Sequence, residues 1–150
     1  MLCENTQDKL LKSIMRTKRY SELVNLTTFE ERFEYLKLGG GVGRATFGFD
    51  RYVNQNFYTS REWRDVRNYV IVRDEGCDLG IPGYEIHTGI LIHHMNPIVV
   101  DDILHKESWI LDPEFLILTM HRTHNDIHFG VKNLLPKVVT ERTPHDTKLW

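Results

Sequence analysis

Leu10, Leu11, Ile14 and Met15 recur at helical spacing, with Lys9, Lys12, Arg16, Lys18 and Arg19 on the remaining positions, which predicts a basic amphipathic helix over residues 8–19. Its basic side reads as a solvated face. Thr28 followed by Glu31 makes a capping box, and Phe29, Phe33 and Leu36 fall at i, i+4 and i+7, so a second helix is expected over residues 28–38, ended by Gly39. The glycine-rich stretch 39–48 follows a helix and lacks the GxxxxGK[ST] and GxGxxG spacings of phosphate loops, so it reads as a connector. A boundary is therefore expected near residue 50, between a helical N-terminal extension, 1–50, and a second domain, 51–150. There Ser60 can cap a helix with Trp63, Val66 and Val70 on one side and Arg61, Arg64 and Arg67 on another.

Further along, the apolar residues between Tyr84 and His94 and the Thr88-Gly89 pair suggest two short strands joined by a tight turn, with Asn96-Pro97 ending the second. A long connection runs from Ile98 to Pro113, and Phe115 to Thr119 reads as another strand. Thr123 and Asp126 form the acidic version of a capping box, so a short helix is expected from Thr123 to near Gly130. The last twenty residues, with Pro136 and Pro144, read as an extended tail. The fold class is α+β, helical in its N-terminal half.

At 150 residues with 41% hydrophobic positions, the chain can bury a core without disulfides or structural metal. Cys3 and Cys77 form neither a disulfide framework nor a CxxC knuckle. The longest apolar runs are four residues, against the roughly 20 that cross a bilayer. The N-terminus shows no secretory signal, so a cytoplasmic location is expected. A net charge of −2 argues against a protein that grips nucleic acid over its whole surface, but leaves room for a local basic face, for which Arg61, Arg64 and Arg67 are the candidates.

All eight histidines lie after Ile86. Imidazole is the commonest protein metal ligand and titrates near neutrality, so this segregation points to metal or proton chemistry in the second half. His124 and His128 are four apart on a predicted helix and can chelate one ion from one face. His93 and His94 end a predicted strand, where neighbours point to opposite sides. One of them could complete a three-histidine site while the other keeps a nitrogen free to accept a proton. A zinc finger would need a preceding CxxC, and a zinc peptidase would need Glu where Asn125 stands.

The stretches Leu91-Ile92-His93-His94-Met95-Asn96-Pro97, Asp112-Pro113-Glu114-Phe115-Leu116-Ile117-Leu118 and Thr123-His124-Asn125-Asp126-Ile127-His128 resemble the strand, strand and helix of the HNH endonuclease family and its ββα-metal motif. Residues 57–64 and Arg73-Asp74 resemble the lead-in of phage-type members, so the resemblance spans about residues 57–130, with the ββα core at about 84–130. It implies a metal-dependent endonuclease that hydrolyses DNA phosphodiester bonds, with His94 as general base and His93, His124 and His128 holding one divalent ion (Mg, Mn, Zn or Ni). Double-stranded DNA is the implied partner, phage packaging proteins are a further candidate, and no nucleotide cofactor or membrane is expected. The alternative is an inactive HNH-fold protein that binds DNA or assists phage assembly. Phe115 stands where the family has its central Asn, and Asp112 or Asn96 is the candidate substitute. The family's paired CxxC cysteines are missing, so a structural zinc is not expected.

Overall fold

The structure, a computed structural model, describes residues 18–38 and 49–130. The expected helix over 8–19 falls outside this range except for its last two residues, which are not helical; the glycine connector and the C-terminal tail also fall outside it. The described chain is α+β: helices α1 (Tyr20–Leu23), α2 (Phe29–Leu36), α3 (Phe49–Thr59) and α4 (Arg61–Arg73), strands β1 (Cys77–Asp78), β2 (Tyr84–Glu85) and β3 (Ile90–His94), helix α5 (Val100–Leu104), two 3₁₀ turns (Ser108–Leu111 and Pro113–Phe115), strand β4 (Leu116–Met120) and helix α6 (His121–Phe129). Among the described residues no helix is long and apolar enough to cross a membrane.

The local capping signals act as read. Thr28 Oγ1 accepts the Glu31 N–H at 3.3 Å while Glu31 reaches back to the Thr28 N–H at 3.2 Å, and Ser60 Oγ accepts the Trp63 N–H at 3.2 Å. Strand pairing departs from the sequence expectation. The two strands between Tyr84 and His94 do not form a hairpin with each other: β2 pairs with β1 across the Ile81-Pro82-Gly83 turn, and β3 pairs antiparallel with β4 over all five of its residues. The five-residue β4 offers a full ladder, whereas Tyr84 and Glu85 offer only two positions. The long connection after Asn96 also holds more structure than expected, namely α5 and both 3₁₀ turns.

β4 is buried on both faces. Leu116 and Leu118 pack with Trp63, Val66 and Val70 of α4, and Ile117 packs with Leu23, Leu36, Met95 and Ile127 on the other side. This explains why its sequence is a continuous apolar run and not an alternating one. Residues 18–38 therefore share a core with the strand–strand–helix unit of the second half. Asn96 locks this arrangement, accepting the Lys18 N–H at 3.2 Å and donating to the Lys18 carbonyl at 2.9 Å.

The edge of β4 away from β3 is closed by two buried aspartates. Asp74 Oδ2 accepts the Leu118 N–H at 2.8 Å, and Asp78 accepts the N–H groups of Met120 at 3.0 Å and Gly80 at 2.8 Å. Arg73 ties the same corner together, bonding Asp74 and the carbonyls of Pro113 and Leu116 while its guanidinium lies 3.6 Å from the Tyr20 ring centroid. Burial pushes the Asp78 carboxyl up, against the pull of its backbone donors. Asp78→Ala should cost about 2–4 kcal/mol, because two sequestered N–H groups lose their acceptor. Urea denaturation checks this; Asp78→Asn, which keeps an acceptor, should cost less.

Candidate metal centre

The helix carrying HxxxH begins two residues earlier than its capping signature suggests. α6 starts at His121, and Thr123 is a buried residue of its first turn, not a cap; its neighbour across the gap is Gly80, where a Cβ would come within 2.5 Å of Thr123 Cγ2. Asp78, from β1, supplies the carboxylate that takes the Met120 N–H just ahead of the helix. Gly130 ends α6 at φ 67°, a left-handed conformation that glycine adopts at no steric cost.

On this helix His124 and His128 project to one face, their Nε2 atoms 3.1 Å apart. β3 brings His93 between them, each ring centroid 5.1 Å from its own. The three residues offer ligand nitrogens that all lie within 4.8 Å of one another. Two nitrogens held about 2.0–2.1 Å from one tetrahedral ion stand about 3.3 Å apart, so the helical pair is spaced for shared coordination. His93 is 1% exposed, and its Nε2 has no hydrogen-bond partner. A buried polar nitrogen without a partner is costly, and a cation would satisfy it. Burial, and then the neighbouring imidazoles, hold His93 well below the ordinary histidine range; burial also lowers His124 and takes His128 to about 4. Neutral rings are what coordination requires. These residues fit one metal ion.

His94 points the other way, as adjacent strand residues must. Its ring stacks on Trp63 at 5.3 Å and 16°, with Phe57 at 6.3 Å and Trp109 at 6.4 Å completing an aromatic surround. Nε2 donates to the Ile110 carbonyl at 2.9 Å, which leaves Nδ1 as the basic nitrogen. Burial takes its pKa down to about 4. A histidine kept neutral in the fold but free to protonate when unfolded penalises folding as pH drops. From the ordinary value near 6.5 down to about 4 the unfolded chain binds more protons, so stability rises with pH across that window. For His94 alone the metal-free fold should be about 3 kcal/mol less stable at the acid end. Thermal melts of chelator-treated protein at several pH values check this, and a flat profile between pH 4 and 6.5 would contradict it.

Asp112 and Asn96, the two sequence candidates for the role of the HNH family's central Asn, have separate tasks. Asp112 accepts the Glu114 N–H at 2.9 Å and so braces the turn into β4, whereas Asn96 holds Lys18. A cleft of about 280 Å³ opens beside the triad, lined by Tyr58, Trp63 and Arg67, by residues 90–92 of β3, and by His124. Trp63 thus touches both His94 and the cleft. Of the three sequence-nominated arginines only Arg67 is on this lining. The helical spacing sets Trp63 on one side of α4 with Val66 and Val70, but nothing local signals Phe57, Trp109 or the Ile110 carbonyl around His94, since these come from elements far apart in the chain.

Comparison with known proteins finds no matching family model, no similar curated protein and no similar solved structure.

Proposed function

We propose that the chain is a metal-dependent endonuclease of the HNH type, hydrolysing DNA phosphodiester bonds at the β3–β4–α6 unit. The observation that supports this most is the meeting of His93 with His124 and His128, from stretches some thirty residues apart, next to a second strand histidine held neutral in an enclosed setting. When bound, the ion would hold the scissile phosphate and stabilise charge on the departing 3′ oxygen. His94 takes the proton from the attacking water at Nδ1, its ring fixed by the Ile110 carbonyl and the Trp63 stack. Of Mg, Mn, Zn and Ni, the donor set favours Zn or Ni: three imidazole nitrogens with no carboxylate suit borderline ions better than hard, oxygen-seeking ones.

The test is incubation of the protein with supercoiled plasmid and a panel of divalent ions, with chelator as control. Nicked or linear product that depends on the ion is expected. Ion binding without any product would favour the second reading, an inactive HNH-fold protein that binds DNA or a phage-assembly partner. The enclosure of His94 among three aromatic rings is the observation on that side.

A further inference from the structure

The three arginines of α4 are not equivalent. Arg61 sits in an exposed pair with Asp65 at 3.9 Å, and Arg64 reaches back to the Ser60 carbonyl at 3.4 Å; both are exposed and neither lines the cleft. Arg67 is half-buried on the cleft wall, in the same space as His124. Between them runs the strand edge of β3. The amides of Leu118 and Met120 turn to Asp74 and Asp78, and the Leu118 carbonyl takes the Leu79 N–H, so the even-numbered residues of β4 face away from β3. In the antiparallel register the odd-numbered ones then pair with Leu91 and His93, and Ile90, Ile92 and His94 turn their N–H and C=O groups to the far edge. Among the described strands none pairs with that edge, and the cleft lies along it at residues 90–92. An arginine and an outward strand N–H lining one space suit an anion with several oxygens.

We propose that Arg67, together with the outward N–H of Ile92, holds the non-bridging oxygens of a polynucleotide phosphate in this cleft, while Arg61 and Arg64 are dispensable for it. This rests on the nuclease reading above. The planar fork of Arg67 grips two oxygens, a geometry lysine cannot reproduce.

The experiment measures binding of a short fluorescein-labelled DNA duplex to the full chain in chelator over a salt series, alongside plasmid cleavage with the ion that supports it. Arg67→Ala should weaken duplex binding about 10-fold or more at low salt and reduce the log–log salt slope by about one. The Arg61→Ala/Arg64→Ala double variant should keep the parental slope, and Arg67→Lys should keep the slope but cleave more slowly than the parent. Melting curves establish that each variant folds, which the exposed edge of the α4 face permits. A parental slope and cleavage rate in Arg67→Ala would overturn the assignment while leaving the nuclease reading intact. A parent that neither binds duplex nor cuts plasmid would overturn both.

Discussion

His124→Ala protein titrated with Zn²⁺ should bind it at least about 100-fold more weakly than the parent. Loss of an outer partner of a metal ligand already costs about 10–100-fold, and a direct ligand counts for more. His124 is the better choice than His93 for this measurement. It is only half-buried, so its removal leaves the metal-free fold nearly unchanged, whereas truncating His93 opens a cavity beneath Ile117 and α6 as well. His128→Ala should behave like His124→Ala, since their Nε2 atoms stand 3.1 Å apart and address the same point. Calorimetric titration of both variants checks the expectation, and parental affinity in either would remove that residue from the centre.

A second large effect is expected at the neighbouring position. His94→Ala should reduce plasmid cleavage by about 10²–10⁴-fold, the range typical of losing a positioned general base, while Zn²⁺ affinity stays within a few-fold of the parent. The separation follows from the strand: His93 faces α6 and His94 faces α4, so removing one ring need not disturb the other. Because His94 also fills space between Trp63, Phe57 and Trp109, His94→Gln is the companion variant. It restores bulk and a polar group without restoring a base. If His94→Gln cleaves like the parent, the ring has a packing role only. If both variants lose Zn²⁺ binding as His124→Ala does, the division of roles between the two strand histidines is wrong.

The features legible in the sequence were those encoded over a few residues. The i, i+4 spacing of His124 and His128, the opposed directions of His93 and His94, the Thr28 and Ser60 caps and a helix stop near Gly130 all appear in the structure. What misled was local chemistry overruled from a distance. Thr123 and Asp126 have the spacing of a cap, yet Thr123 is packed against Gly80 and the Met120 N–H is taken by Asp78, more than forty positions away. The Thr88-Gly89 turn joined strands that find better partners elsewhere. Asp126 is fully buried, burial raises its pKa to about 6, and neither carboxylate oxygen takes a hydrogen bond among the described residues, so it caps no backbone N–H there. The aromatic surround of His94 was illegible for the same reason, since Trp63 and Trp109 lie thirty-one and fifteen positions from it and meet it only through the fold.

Lys18 clasped by Asn96, Leu38 bonded to the Ile127 carbonyl at 2.8 Å, and Leu23 and Leu36 wedged beneath β4 make the opening helices a foundation for the histidines and not an ornament ahead of them. The strand–strand–helix unit is consequently no portable cassette. Transplanted onto another scaffold from residue 51 onward, it would arrive with Met95, Ile117 and Ile127 facing water, and its three rings would lose the platform that sets their spacing.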